Sequence, residues 1–222
     1  MTQEFEFYSV SDMSDYSGEW VAIIGNKVIA SGKNLKEVYD KAKSIAKKKE
    51  PMFARIPNKE EELILWCLVN FRGNHRKPTL SFKYIKEKHK ESYVYRPRVE
   101  IRLSNGNQSI KLAMLVDSGA DTSLIPLEIA EILELKLTDK RISNSASGPF
   151  ETMLSEVSAE LLKGYKSYKI GKIPVLISIN KKNNSNGMTP HTLLGRSHFF
   201  NQFDITFRES VFKIVLRNPK KS

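Results

Sequence analysis

The chain contains a single cysteine, Cys67, and therefore cannot form an intrachain disulfide. That cysteine lies in an apolar stretch, residues 63–69, which predicts a small buried side chain rather than a reactive thiol. Long apolar runs are also missing. None is long enough to cross a bilayer, and the first six residues are acidic rather than typical of a basic signal sequence. We therefore expect a cytoplasmic protein with no membrane partner.

Acidic residues are fewer than basic ones: 25 Asp and Glu stand against 36 Lys and Arg, which gives a formal net charge of +11. An excess of this kind can attract nucleic acid. The lysine runs are dispersed, at residues 47–49, 83–90 and 220–221, so we expect them to serve solubility rather than a nucleic-acid partner. Because His75 and His89 have no neighbours at metal-ligand spacing, we expect no metal and no cofactor.

The most informative segment is residues 115–126, LVDSGADTSLIP, whose motif occurs once. Asp117 follows an apolar, strand-like run, and Gly119 permits a tight turn, for which we expect positive φ at this glycine. A turn at the end of a strand can hold a reactive side chain rigidly yet leave it accessible. A short Asp-Ser-Gly segment alone is most often a polar turn. The functional interpretation therefore depends on the longer match and on a second segment, LLGR at residues 193–196.

Together the two segments resemble the signature of the retroviral-type (retropepsin-like) aspartic proteases, over roughly residues 78–217. The resemblance implies that Asp117 is the catalytic residue and that the substrate is a peptide or protein. Two aspartates held side by side share one proton, so that one activates water while the other protonates the carbonyl oxygen. Because the motif occurs once, the second aspartate must come from an identical chain, and we expect a homodimer.

The same resemblance implies supporting roles for residues near the catalytic aspartate. Ser118 would hydrogen-bond across the dimer, and Asp121 would pair with Arg196 in a partly buried site. The other residues expected to shape and support the catalytic loop are Gly119, Ala120, Leu194 and Gly195. A flap that closes over the substrate is implied at residues 142–153. Its expected substrate-binding residues are Ser147, Gly148, Pro149 and Phe150.

The predicted fold of residues 92–217 is mainly β, a closed β-barrel-type acid protease fold with one or two short helices, at 127–133 and 196–200. Residues 1–70 are predicted as a small α+β domain with a hairpin at 20–30, a helix at 34–49 and a strand at 52–56. Segments 18–22 and 29–32 resemble a small microbial domain of uncharacterised function. Residues 71–91 are predicted as a basic linker and 218–222 as a tail. The helix should bury a stripe made of Leu35, Val38, Ala42, Ile45 and Ala46.

Two other functions are compatible with part of the pattern. An Asp-x-Gly turn followed by Thr or Ser also resembles the first phosphate loop of actin-like sugar kinases and ATPases. In that fold a strand and hairpin follow the loop, whereas residues 127–133 have helical apolar spacing after Pro126. A catalytically silent dimer of the protease fold is the second alternative, and it would bind extended peptides without cleaving them.

Overall fold

The computed structural model describes residues 2–46, 49–57, 79–89, 92–145, 148–179 and 192–217. Cys67, His75, Ser147, the predicted domain boundary at residue 70 and the tail 218–222 lie outside these residues. The described chain is mainly β, as predicted. Its helices are α1 Gln3–Val10, α2 Leu35–Ala46 and α3 Leu127–Ile132. Its strands are β1 Trp20–Ile24, β2 Lys27–Gly32, β3 Met52–Arg55, β4 Thr79–Lys83, β5 Ile85–His89, β6 Ser92–Arg96, β7 Arg98–Asn105, β8 Gln108–Val116, β9 Ser123–Pro126, β10 Thr138–Ser145, β11 Gly148–Lys163, β12 Lys166–Ser178, β13 Leu193–Leu194, β14 Asp204–Arg208 and β15 Lys213–Arg217.

The N-terminal part contains the predicted hairpin (β1 and β2), helix (α2) and strand (β3). Asn34 caps α2, because its Oδ1 accepts hydrogen bonds from the N–H groups of Lys36 at 2.9 Å and Glu37 at 3.4 Å. Four residues of the predicted stripe are buried, but Ile45 is exposed and Tyr39 is buried instead. The 3.6-residue repeat explains this correction, since it places Tyr39 within the buried face and Ile45 at the border of that face.

Six strands close into a barrel-like ring. β8 pairs with β7, β7 with β11, β11 with β12, β12 with β9, β9 with β13, and β13 returns to β8. Along β7, the alternate residues Val99, Ile101 and Leu103 have no exposed surface, because the two-residue period of a strand directs them to the same face. The ring agrees with the predicted closed barrel.

The N-terminal strands extend the same sheet. β3 pairs in parallel with the middle of β8, with Met52 opposite Lys111 and Phe53 opposite Leu112. β13 occupies the end of that same edge of β8. Trp20 and Leu35 also pack in the apolar cluster that contains the barrel residues. The N-terminal part is therefore bound by hydrogen bonds and apolar contacts to the strand that leads to Asp117.

The second half of the predicted basic linker is folded. Residues 79–83 form β4, which pairs with β15, and residues 85–89 form β5, which pairs with β6. Leu80 and Phe82 are buried on one face of β4. The linker interpretation gave more weight to the lysines than to this apolar alternation, and the structure corrects it, because buried alternate residues hold β4 in a sheet.

Glu100 on β7 is a buried carboxyl group at the contact with the N-terminus. The Thr2 hydroxyl donates to its Oε2 at 2.6 Å, while its buried Oε1 accepts no hydrogen bond from the described residues. Burial raises the pKa of Glu100, although the Thr2 hydrogen bond and Lys111 act in the opposite direction. The folded state consequently binds this proton more tightly than the unfolded state does, and the ionised form weakens the fold at neutral pH.

We expect Glu100→Gln to stabilise the protein at pH 7, because the amide removes a buried charge and keeps an acceptor for Thr2. Thermal unfolding should show a Tm rise of roughly 2–4 °C, the shift that about 1 kcal/mol produces at this chain length. The difference should shrink as the pH falls through the raised pKa toward the unfolded value of about 4.3, because wild-type Glu100 is then protonated as well. A gain that stays constant down to pH 4 would contradict this account.

Candidate active site

Asp117 lies directly after β8, where backbone hydrogen bonds fix its position. Its N–H donates to the carbonyl oxygen of Leu194 at 3.0 Å, and the N–H of Leu115 donates to the carbonyl oxygen of Thr192 at 3.0 Å. Leu194 is paired with Val116 in the parallel contact between β13 and β8. The structure therefore joins the two signature segments, which are far apart in the sequence, through main-chain contacts at the residue before Asp117 and at Asp117 itself.

The loop after Asp117 folds back on the aspartate side chain. Asp117 Oδ1 accepts a hydrogen bond from the N–H of Gly119 at 2.8 Å, and the aspartate is only 7% exposed. The prediction of a positive φ at Gly119 is wrong, because Gly119 is not one of the glycines that have positive φ in the structure. A Cβ at Gly119 would lie 3.2 Å from Asp117 Oδ1, so its small size preserves room beside the carboxylate. Ser118 and Ala120 lie in the same turn and are partly exposed.

Gly195 lies against the backbone of the candidate catalytic loop, residues 117–122. A Cβ there would be 2.6 Å from the carbonyl oxygen of Thr122 and 2.8 Å from the N atom of Ser123, distances that a real side chain does not reach. The N–H of Gly195 donates to the Ser123 hydroxyl at 3.1 Å, and Ser123 is fully buried. Glycine is required here by the close approach of the two segments.

Asp121 and Arg196 form the predicted ion pair, through Arg196 Nη2 and Asp121 Oδ1. The pair also raises the pKa of the Arg196 guanidinium through its hydrogen bond to Asp121. The expected partial burial is wrong for a single chain: the side chains of Arg196 and Asp121 are 59% and 80% exposed. Exposed pairs contribute little to folding.

We therefore expect Arg196→Leu to leave the Tm of the isolated chain nearly unchanged in thermal unfolding.

The predicted helix at residues 196–200 is a kinked turn. Ser197 is extended (φ −58°, ψ 123°) and His198 has positive φ (69°), so the segment does not continue as a regular helix. The N–H groups of Arg196 and Ser197 donate to the carbonyl oxygens of Ala120 and Asp121, at 2.8 and 2.7 Å. These bonds to the candidate catalytic loop fix the direction of the backbone at the point where the helix was predicted.

The predicted flap is a β-hairpin formed by β10 and β11. Its last pairs place Ser145 opposite Gly148, Asn144 opposite Pro149 and Ser143 opposite Phe150. Gly148 has a φ of 112°, a conformation that favours glycine at the tip. Pro149 is exposed and Phe150 is partly exposed. The hairpin has the geometry expected of a flap, and its closing over a substrate stays a prediction.

Two cavities in the described ranges of the chain are not lined by Asp117. A cavity of about 310 Å³ is bounded by α1 and β5, and one of about 210 Å³ lies next to α2. No three His, Cys, Asp or Glu side chains in these ranges lie close enough together to hold a metal. Across the same ranges, we find no helix with the length and apolar character needed to span a membrane.

Comparison with known families identifies the segment that carries this geometry. Residues 99–197 match the aspartyl protease family. We refer to these residues as the aspartyl protease segment; the match contains Asp117 and ends next to Arg196. Residues 13–59 match a family of unknown function, DUF5678. Both matches confirm the resemblances inferred from the sequence, including that of the N-terminal part to a domain of uncharacterised function.

Solved structures that are similar to the chain include two proteases. The EIAV protease complexed with the inhibitor HBY-793 has 22% identity over 46% of this chain and 82% of that chain, with a TM-score of 0.30. A retropepsin-like aspartic protease from Rickettsia conorii has 15% identity over 66% of this chain and 98% of that chain, with a TM-score of 0.36. A search of curated proteins finds no match.

Ser123 is a residue of the aspartyl protease segment that the sequence interpretation missed. Its hydroxyl accepts the Gly195 N–H and thereby links the candidate catalytic loop to the second signature segment. Thr192 was also missed; its hydroxyl donates to the carbonyl oxygen of Ala113 at 3.2 Å. The sequence did contain a signal for Ser123, because it is the polar residue that begins the otherwise apolar run 123–126. A hydroxyl buried in such a run normally has a hydrogen-bond partner.

We expect Ser123→Ala to loosen the catalytic loop, because it leaves the buried Gly195 N–H without its acceptor. The loss should cost about 1–3 kcal/mol of unfolding free energy, measured by denaturant titration. Ser155→Ala is the matched control: the Ser155 hydroxyl, on β11, donates to the Lys136 carbonyl oxygen at 2.9 Å. If Ser123 positions the loop, Ser123→Ala should lower kcat where Ser155→Ala does not. Equal kcat values would limit Ser123 to a role in stability.

Proposed function

We propose that the protein is an aspartic endopeptidase that acts as a homodimer, with Asp117 of each copy forming the catalytic pair. The hydrogen bond from the Asp117 N–H to the Leu194 carbonyl oxygen is the main support, because it joins the two signature segments at the proposed catalytic residue. The aspartyl protease match covers the same residues. A rigid strand end is the type of support that a catalytic side chain requires.

The two carboxylates would share one proton when they meet across the two-fold axis, because adjacent negative charges resist simultaneous ionisation. The ionised aspartate would remove a proton from water as the water oxygen attacks the peptide carbonyl carbon. The protonated aspartate would give its proton to the carbonyl oxygen. As the C–N bond of the resulting tetrahedral intermediate breaks, the amine nitrogen accepts the proton that the first aspartate took from water, and a hydroxyl of the intermediate returns a proton to the second aspartate. Because this mechanism needs one ionised and one protonated aspartate, we expect activity to be highest on the acidic side of neutrality.

The proposed substrate is a peptide or unfolded protein segment bound as an extended strand. The flap hairpin would cover it, with Gly148, Pro149 and Phe150 at the tip, and Ser147 between the two strands in the sequence. The exposed Asp121 carboxylate could accept N–H groups from the substrate main chain. Main-chain hydrogen bonds of this kind give affinity for extended peptides irrespective of sequence.

Subunit mixing tests the dimer and the role of Asp117 together. Wild-type protein and Asp117→Asn protein would be mixed, allowed to exchange subunits, and incubated with a mixture of unfolded-protein peptides between about pH 4 and 7. Mass spectrometry would measure cleavage, and sedimentation would measure association. If each active dimer needs two aspartates, an equal mixture should retain about a quarter of the activity of the same total amount of wild type, since a quarter of randomly paired dimers are wild type on both sides.

Half of the wild-type activity in the equal mixture, together with sedimentation that shows an active monomer, would mean that each chain works alone, and it would contradict the homodimer. The silent alternative predicts a different result: no cleavage by either protein, with peptide binding that Asp117→Asn preserves. Peptide affinity, measured by fluorescence anisotropy on the same samples, separates a silent binding dimer from an inactive preparation.

A further inference from the structure

The β5–β6 hairpin has one face that is rich in exposed aromatic rings. Lys86 is opposite Tyr95, and Lys88 is opposite Tyr93, in the antiparallel register of the two strands. Directly opposed residues share a face of a sheet, so these four positions lie on the same side. Tyr93 and Tyr95 are 47% and 38% exposed. The opposite face is buried, as the accessibility of Glu87 indicates.

Phe212 extends this aromatic surface from the turn before β15. Its ring stacks on Tyr95 with centroids 4.1 Å apart and planes 20° apart, and 44% of the residue is exposed. Phe212 adopts a left-handed conformation (φ 48°, ψ 53°), which is unfavourable for a bulky side chain. The N–H of Tyr84 donates to its carbonyl oxygen at 2.8 Å, and the Tyr84 hydroxyl donates to Glu209 at 2.7 Å. The turn is therefore held in a strained form that presents the ring.

Three basic residues form a row across the neighbouring sheet. The register of β14, β15 and β4 places Arg208 opposite Lys213, and Lys213 opposite Lys83. Like charges at opposed positions repel each other, and an anion bound along the row would relieve that repulsion. Lys213 follows Phe212 in the chain, so the cationic row begins beside the aromatic rings. Lys86 adds a fourth cation, with Nζ 3.8 Å from the centre of the Tyr93 ring.

We propose that this surface, defined by Lys83, Lys86, Tyr93, Tyr95, Arg208, Phe212 and Lys213, binds single-stranded nucleic acid. Bases would stack on the exposed rings, and phosphates would lie along the cationic row. Single strands fit this arrangement better than duplexes do, because only unpaired bases offer free ring faces. Asp12 and Asp15 line the cavity that Lys86 and Tyr93 also border. The negative backbone would therefore run away from these acids, toward Lys83 and Lys213.

This inference is independent of peptide hydrolysis and revises the expectation from the sequence. Dispersed lysine runs favoured solubility alone, but strand pairing brings Arg208 and Lys83 to the two sides of Lys213. A basic surface with interspersed aromatic rings is typical of proteins that bind single strands without strong sequence preference.

The test is fluorescence anisotropy of the full chain with a labelled oligouridine and a labelled oligothymidine of about 15 nucleotides, the upper range of a single binding module. The logarithm of the binding constant should fall linearly with the logarithm of the salt concentration. The slope should correspond to about three or four phosphate contacts. Tyr93→Ala and Phe212→Ala should each weaken binding about tenfold. Arg208→Gln with Lys213→Gln should reduce the salt slope by about 1.4, since each phosphate contact with a single strand contributes about 0.7.

Control variants separate the surface from general charge and folding effects. Tyr165→Ala removes a fully exposed tyrosine in the turn between β11 and β12, and Lys166→Gln removes an exposed lysine beside it. Neither should change binding by more than about twofold, since a lone surface charge contributes little. The glutamine pair should not lower the Tm, because it removes repulsion rather than a packing contact.

Several outcomes would overturn the proposal. These are an absence of wild-type binding at low salt, equal losses in the surface variants and the controls, and equally tight binding of duplex of the same length. If the ring variants instead shift the sedimentation of the protein while nucleic acid is not bound, the surface is a contact between two copies of the chain and the proposal is wrong.

Discussion

We expect Asp117→Asn to reduce peptide cleavage by at least about a thousandfold while leaving the fold intact. Positioned proton transfer accounts for factors of about 10²–10⁴ in enzymes, and an amide can neither ionise nor share a proton. The structural cost should be small, because the Oδ1 atom of Asn can still accept the Gly119 N–H that Asp117 Oδ1 accepts at 2.8 Å. Cleavage rates at pH 4–7 and thermal unfolding measure the two parts of this prediction.

Asp204→Asn is the matched control for this substitution, since Asp204 is an exposed aspartate at the start of β14. It makes the same chemical change away from the catalytic loop and should keep wild-type rates. Cleavage that persists in purified Asp117→Asn protein at a rate similar to that of Asp204→Asn would remove Asp117 from the mechanism. A large fall in Tm for Asp117→Asn would mean that the carboxylate is needed for folding, and lost activity could not then be assigned to chemistry.

Gly195→Ala should have the second large effect, on folding and activity together. The added Cβ would meet the backbone of Thr122 and Ser123, with 2.6 Å to the Thr122 carbonyl oxygen. Backbone atoms cannot move aside as a flexible side chain can, so the two signature segments must separate. Overpacking of this kind costs about 1–3 kcal/mol or more, which lowers Tm by roughly 2–4 °C for each kcal/mol. A displacement of about 1 Å in the catalytic loop should reduce kcat by about a hundredfold.

Gly32→Ala provides the comparison for the glycine substitution. Its Cβ would meet only the Val38 side chain, at 3.3 Å, and the backbone of Gly32 has no positive φ. We expect little change in Tm and none in activity for this variant. If Gly195→Ala behaves in the same way, the close approach of Gly195 to Thr122 does not control the loop, and the account of the second signature segment is wrong.

The sequence predicted the strands around Asp117, the proposed catalytic residue, because their signals are local. Alternating Val99, Ile101 and Leu103 marks β7, and the apolar run that ends at Val116 marks β8. The same local signals failed where burial or a contact with a distant segment decided the outcome. Leu80 and Phe82 alternate on β4, but the surrounding lysines suggested a linker. The segment after Gly195 was predicted as a helix, but it forms a turn that hydrogen-bonds to the proposed catalytic loop.

The N-terminal part illustrates the same limit at the level of domains. Its hairpin, capped helix and strand were predicted, because a turn, an N-cap and apolar periodicity are encoded by neighbouring residues. The attachment of this part to the barrel was not predicted, because the parallel pairing of Met52 with Lys111 joins two strands that are far apart in the sequence. Hydrogen bonding between strands carries no local residue signature, so a sequence alone does not specify which edges meet.

The sequence by itself determined the chemical groups of this protein: one Asp-Ser-Gly-Ala-Asp turn at the end of an apolar strand, one LLGR segment and an excess of positive charge. These follow from residue types and short-range spacing, and they led to the resemblance to aspartyl proteases that the match of residues 99–197 supports. Only the tertiary structure decided how the groups are combined. It joined Ser123 to Gly195, exposed the Asp121–Arg196 pair, and aligned basic residues beside aromatic rings. The physical reason is that each of these arrangements depends on strand register and packing between segments far apart in the chain.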